Sequence, residues 1–329
     1  MADSAYPTAK FSHPDVTAKG ETRASVGWTG LRTLWFNTGT LCNIECRNCY
    51  IESSPKNDRL VYLKLSDVTP FLDEIEAPVE IGITGGEPFM CPEILPIMEE
   101  ILRRGHSLLL LTNAMRPMMR PRLQEGLKRL LGPGDRDPDA HDGDPDVGDG
   151  DPADRLCVRV SLDSHRADIH DAERGEGAFA EACAGIRWLG EQGFRVALAG
   201  RLALTEDEAS ARAAYGALAA SLGLDLDPAD PKQLVLFPEM VARDDPPEIT
   251  TACWGILNKA PESIMCADQR MVIRRKGAAR ASVTACTLLV DDPAFELGHT
   301  LAEATAEPVK LNHPWCASFC VLGGGSCSA

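Results

Sequence analysis

The 329-residue sequence has no long apolar run; its longest, such as residues 108–111, are far too short to cross a bilayer. The first residues, MADSAYPTAKFSHPD, also lack an apolar segment and carry Asp3, Pro7 and Pro14, so a secretory signal is not expected. Basic charge is scarce: 33 Lys and Arg stand against 49 Asp and Glu, a net charge of −16. A phosphate backbone would be repelled by such a chain, which argues against a nucleic-acid partner. These absences predict a soluble cytoplasmic protein with neither a membrane nor a nucleic acid as partner.

Cysteine, by contrast, is abundant, with twelve in the chain. A large chain without a secretory signal has no need of a disulfide framework, and the cytosol would keep such bridges reduced. The clustering therefore points to metal. Cys42, Cys46 and Cys49 form one group and Cys316, Cys320 and Cys327 another, with Cys253, Cys266 and Cys286 between them. Cys91, Cys157 and Cys183 are scattered and read as small buried hydrophobes, although Cys91 lies close enough to a Gly-Gly turn to face a site.

Apolar, β-rich stretches at 33–38, 79–84, 107–112, 156–161, 195–200 and 233–237 read as buried strands. Helical patterns fall between them: a run into Ile75 capped by Ser66, then 92–104, 122–131, 178–192 and 206–222. This alternation predicts parallel βα units in an α/β fold, a partial (β/α)6 barrel whose chemistry sits at the C-terminal ends of its strands. Residues 132–155, nearly all Asp, Gly and Pro, read as an acidic, flexible insertion. Beyond about residue 240 the alternation stops and cysteine density rises. The expected division is a 1–30 extension, a 31–240 barrel and a 241–329 domain ordered by metal.

Cys42-xxx-Cys46-xx-Cys49 occupies the loop after the first strand. Such thiolates can hold three irons of a 4Fe–4S cube and leave the fourth open to a cosubstrate. Zinc is the alternative, but it favours paired CxxC knuckles with a fourth ligand nearby. After the second strand comes ITGGEPF, with Gly85, Gly86, Glu87 and Pro88, where glycine lets backbone approach a ligand closely. After the fourth comes SLDSHRADIHDAERGEGAF, with Ser161, Asp163 and Arg174 as candidate polar contacts; helix capping and surface charge are the competing roles. Arg201, at the end of the fifth strand, is a further charge that either faces the site or pairs with a loop. His165, His170, His299 and His313 are candidate bases or ligands, with loop and capping roles the commoner alternative.

On these motifs the chain resembles the radical S-adenosylmethionine (radical SAM) superfamily over most of its length. An aromatic residue usually precedes the third cysteine there; this chain has Asn48 before Cys49 and Tyr50 after it. The resemblance implies that the open iron chelates the amino and carboxylate groups of S-adenosylmethionine. It also implies that an electron cleaves the sulfonium to methionine and a 5′-deoxyadenosyl radical, which takes a hydrogen atom from the substrate. It gives Gly85, Gly86, Glu87 and Pro88 the methionine end, and Ser161, Asp163, Arg174 and Tyr50 further contacts to the cosubstrate. A reducing donor such as ferredoxin or flavodoxin is implied as partner.

The order S-x-D…H-D…R-G…F is similar to the subgroup with C-terminal SPASM or Twitch domains. A strand, a turn at Gly277 and a second strand would bring Cys266 and Cys286 together as a hairpin. The resemblance then implies an auxiliary 4Fe–4S cluster held by Cys266, Cys286, Cys316 and one or both of Cys320 and Cys327. Zinc remains the alternative at that site. The resulting expectation is a radical-mediated oxidoreductase that oxidises or rearranges a small molecule with help from the auxiliary cluster. Maturation of a ribosomally made peptide ranks just behind: the resemblance implies that peptide-modifying members often carry an N-terminal peptide-recognition domain, and fewer than about 35 residues precede the first strand here, which favours a small molecule or a peptide delivered by a separate partner. A non-catalytic iron–sulfur or zinc protein is the alternative of a different class. Two cubes predict about eight irons per reconstituted chain; about four irons with one zinc would overturn the second.

Overall fold

The computed structural model of the chain describes residues 9–132, 155–202, 206–238 and 245–323. Residues 133–154 of the acidic stretch, Cys327 and the boundary expected at about residue 240 lie outside the described residues. After a short strand β1 (Ser25–Val26), strands and helices alternate: β2 (Thr33–Asn37), α1 (Leu65–Asp73), β3 (Glu80–Thr84), α2 (Ile94–Arg103), β4 (Ser107–Thr112) and α3 (Pro121–Leu131). They continue as β5 (Leu156–Ser161), α4 (Ala167–Arg174), α5 (Ala178–Glu191), β6 (Arg195–Leu202), α6 (Glu208–Ser221) and β7 (Leu234–Pro238). The rest comprises α7 (Cys253–Leu257), β8 (Gln269–Ile273), β9 (Ser282–Thr284), β10 (Glu296–Gly298), α8 (Leu301–Thr305) and β11 (Val309–Lys310).

Strands β2 to β7 pair in sequence order and in parallel, giving the six βα strands read from the sequence at nearly the same residues. Alternate side chains point to opposite faces of each strand. Leu34, Phe36, Ile81, Ile83, Leu108, Leu110, Val158 and Val160 join one core with the covering helices. Trp35, Leu109 and Met271 join a separate cluster, with Leu111 and Cys157 packed against it, on the inner face. That is why these strands read as unbroken apolar runs: both faces are covered, as in parallel sheets generally. Cys91 and Cys183 belong to the helix-side core, and the Cys91 thiol donates to Leu63 O at 3.3 Å, so Cys91 does not face the inner side.

Local departures from the sequence reading have simple causes. Helix α1 begins at Leu65 with Lys64 as its N-cap rather than Ser66, because the Lys64 N–H donates to Asp67 Oδ2 at 2.9 Å. Helix α4 was not read as a helix because its sequence, ADIHDAER, buries only His170 and carries no apolar stripe.

The sheet does not end at the barrel. Its order is β10-β9-β8-β2-β3-β4-β5-β6-β7, with β8 parallel to β2 and the hairpin strand β9 antiparallel to β8. The hairpin expected between Cys266 and Cys286 is present, with Gly277 at φ 82° between its strands. It extends the barrel sheet from the far side of the first strand. The core beside it is composite: Ala24 and Val26 pack with Ile249, Ile264, Leu289, Val309 and Leu311. Strand β1 pairs with β11, and the buried Arg23–Glu248 ion pair at 2.5 Å ties the early segment to the later one. Among the described residues, no helix is long and apolar enough to cross a membrane.

Gly82 lies opposite Trp35 in the β2–β3 register, and a Cβ there would fall 2.3 Å from the indole ring. Gly82→Ala is therefore expected to destabilise the chain by about 1–3 kcal/mol through overpacking. Denaturant unfolding checks this; an unchanged midpoint would mean that the indole moves aside at no cost.

Candidate functional site

The C-terminal ends of β3 to β7 surround one cavity. It is lined by Thr84, Gly85 and Gly86, by Leu111, Thr112 and Asn113, by Arg159 and Ser161, by Ala199 and Arg201, and by Phe237. Across it lies the loop after β2, contributing Cys42, Cys46, Asn48, Cys49 and Tyr50, with Arg174 of α4 closing one side. The first three-cysteine group, the Gly-Gly turn, Ser161, Arg174, Arg201 and Tyr50 are thus brought together. A second hollow adjoins the same loop, sharing Cys46 and Cys49 with the first and lined further by Arg47, Glu52, Lys56 and Arg59 among others.

The loop is held by backbone contacts that only small residues permit. Gly86 N–H donates to Gly39 O at 2.8 Å and Glu87 N–H to Leu41 O at 3.2 Å. A Cβ on Gly86 would sit 2.2 Å from Leu41 O, and Gly85 adopts φ +142°, so both positions require glycine. Cys42 N–H donates to Ser54 O at 3.1 Å, and the Ser53 N–H donates to Cys49 Sγ at 3.3 Å. On the other flank, Asn48 Nδ2 donates to Glu173 Oε2 at 2.7 Å and Arg201 Nη2 to Asn48 O at 2.9 Å.

Glu87 does not line the cavity. It is 1% exposed, and its carboxylate accepts from the Phe89 N–H at 3.1 Å, Thr112 Oγ1 at 2.9 Å and the Asn113 N–H at 2.9 Å. Burial raises its pKa, opposed by these donors and by the charge of Arg174. Its role in the structure is to lock the turn after β3 to the end of β4, while Pro88 starts the short helical turn that follows. Asn113, fixed by that bond, donates from Nδ2 to Asn43 Oδ1 at 2.9 Å and so bridges to the cysteine loop. Sequence reading missed Asn113 and Arg159. The rule that chemistry follows strand ends would have found Asn113, the first residue after β4, and the alternation of faces marks Arg159 as the charge on an inward position of β5.

Asp163 likewise braces the site. Its carboxylate accepts from Arg174 Nε at 2.6 Å and Arg201 Nε at 3.0 Å. Burial pushes its pKa up, but the two guanidinium groups more than offset this and hold it at about 2. Burial would lower the pKa of Arg174, and Asp163 reverses that, so Arg174 stays charged. His170 is fully buried against Phe179, and burial takes its pKa down to about 4. It does not line the cavity and carries no charge near neutral pH.

The thiols fit an iron–sulfur group. Burial pushes Cys42 up to about 12 and raises Cys46, against the pull of Arg174 on the latter. Such thiols ionise when a bound cation supplies the compensating charge. At the second group, Cys266, Cys286 and Cys316 are all buried in the composite core, with Cys253 and Cys320 packed against it. Cys266 is pushed up to about 12 by burial and by the neighbouring Cys286. Cys316 is raised by burial and by both of these thiols, so the three are neighbours. Cys320 lies on the same helical turn as Cys316.

Because Asp163 titrates well below the ordinary 3.8, its ion pairs add stability that is complete above pH ~4 and is lost as pH falls toward 2. The Asp163→Asn chain is expected to lose on the order of 2 kcal/mol less stability than the parent between about pH 5 and about pH 2. Denaturant titrations at the two pH values check this, and a parallel loss in both chains would contradict it.

No family model matches the chain. Over 159 residues it is 28% identical to the antilisterial bacteriocin subtilosin biosynthesis protein AlbA of Bacillus subtilis (strain 168), covering 48% of this chain and 30% of that protein. The chain thus spans about a third of the length of this curated relative. Among solved structures, Streptococcus suis SuiB bound to S-adenosylmethionine matches with a TM-score of 0.54 and 10% identity, over 90% of this chain and 67% of that one. The structure of anSMEcpe with bound AdoMet and Cp18Cys peptide matches with a TM-score of 0.55 and 15% identity, over 86% and 83%. The chain thus shares the fold of these S-adenosylmethionine-bound structures, and the motifs by which its sequence resembles the radical SAM superfamily are gathered at one rim of that fold.

Proposed function

We propose that this protein is a radical SAM oxidoreductase, with Cys42, Cys46 and Cys49 as ligands of its catalytic 4Fe–4S cluster. The observation that carries the reading is the single cavity in which the three-cysteine loop meets the ends of β3 to β7. When bound, the cluster and S-adenosylmethionine together supply an electron, an open iron and, after sulfonium cleavage, a radical able to take a hydrogen atom. The chain's own residues bind and orient. The backbone of Gly85 and Gly86, free of side chains, receives the amino end of the cosubstrate. Ser161 and Tyr50 offer hydroxyls, and Arg174 offers a guanidinium whose carboxylate partner, Asp163, fixes its direction. Asp163 and Glu87 act by positioning, since their oxygens are already engaged.

Residues 241–329 are proposed to hold an auxiliary cluster through Cys266, Cys286 and Cys316, with Cys320 or Cys327 completing the set. Its part is to accept the second electron of an oxidation. A reducing protein such as ferredoxin or flavodoxin is the proposed electron donor, and the cytoplasm, where thiols stay reduced, the proposed location. A small molecule remains the substrate class read from the sequence. A peptide is the second reading, favoured by the similarity to a bacteriocin biosynthesis protein and to a structure that holds a peptide.

Anaerobic reconstitution with iron and sulfide, then reduction in the presence of S-adenosylmethionine, is expected to release 5′-deoxyadenosine. Cys42→Ala is expected to lower the yield by at least ~100-fold, because the cube loses a ligand and its open iron is no longer presented. Equal yields from parent and variant would reject the catalytic reading.

A further inference from the structure

We propose that Arg270 is the counter-charge of the auxiliary cluster, a positioning residue that sets how readily the cluster accepts an electron. This rests on the auxiliary-cluster reading above. Arg270 sits on β8 and is completely buried. Its Nη1 donates to Cys266 O at 2.7 Å and to Gln269 O at 2.7 Å, and its Nε donates to Ala304 O at 2.9 Å. The guanidinium carbon lies 4.3 Å from the centre of the Trp28 ring. All of these partners are formally neutral. Among the described residues Arg270 takes part in no ion pair, and the adjacent carboxylate, Asp268, is committed to Arg32 at 2.7 Å. Among the described residues its Nη2 has no hydrogen-bond partner.

A buried cation without an anion is costly, and a buried donor without an acceptor adds to that cost. By contrast, the buried Arg23 is matched by Glu248, and the largely buried Arg174 by Asp163. What Arg270 adjoins instead is the second cysteine group: the Cys266 carbonyl touches it, and Cys266 shares one buried cluster with Cys286 and Cys316. An iron–sulfur cube with cysteine thiolates is anionic, and it becomes more so by one unit when it takes up an electron. A fixed guanidinium beside it favours the reduced state, since net charge and hydrogen bonds to sulfur set such potentials. The free Nη2 is the donor left over for that partner.

The test uses the full chain with Cys42, Cys46 and Cys49 all replaced by alanine, so that the auxiliary cluster is the only iron site. The chain is reconstituted anaerobically with ferrous iron and sulfide, poised with dithionite and mediators, and read by electron paramagnetic resonance. Arg270→Gln is expected to cut the reduced-to-oxidised ratio at a fixed potential about tenfold, a midpoint lower by about 59 mV for one electron. Arg270→Lys, which keeps the charge, is expected to stay within about twofold of the parent. Loss of iron from Arg270→Gln but not from Arg270→Lys also supports the inference. Parent-like ratios in both variants, or equal shifts or equal iron loss in both, overturn it and leave Arg270 as a packing residue. A triple-alanine chain that binds no iron overturns the auxiliary-cluster reading, and this inference falls with it.

Discussion

Everything at the site depends on the parallel pairing of β2 to β7, because it places every strand's C-terminal end on one rim. Loops far apart in sequence then meet without any special device. The cysteine loop after β2 is pinned to the turn after β3 by glycine backbone, and that turn is pinned to β4 by Glu87. Asp163, after β5, carries the chain of contacts onward through Arg174 to α4 and through Arg201 to β6. Two buried carboxylates thus work as braces, each satisfied by donors from a different element.

Much of this was legible in the residues. The six strands could be read because both faces of each are covered, so the apolar runs are unbroken. The cysteine loop and the Gly-Gly turn could be placed because both directly follow strands. Helix α4 was not legible, since its sequence has no apolar stripe and its one buried residue is a histidine. The roles of Glu87 and Asp163 were read as ligand contacts, and only three-dimensional proximity reveals that Thr112, Arg174 and Arg201 already occupy them. The continuity of the sheet into β8 and β9 was equally hidden. It arises from a pairing between residues more than two hundred positions apart, which no local pattern records.

The two cysteine groups sit in different surroundings, and the difference suits different tasks. The first lies at the edge of a polar cavity, with Cys46 and Cys49 half-buried and arginines close by. The second is enclosed in an apolar core that the early segment around Ala24 and Val26 helps to build. A group that must meet a cosubstrate needs the open rim. The auxiliary cluster proposed for the second group would be kept from water, and fixed charge would help to set its potential.

The most direct test of the central claim is electron–nuclear double resonance on the reduced, reconstituted protein with S-adenosylmethionine isotope-labelled at its amino nitrogen. A cosubstrate seated on an open iron at the Cys42–Cys46–Cys49 loop would give a hyperfine coupling from that nitrogen. A spectrum unchanged by the label, in protein shown to carry the reduced cluster, would contradict it.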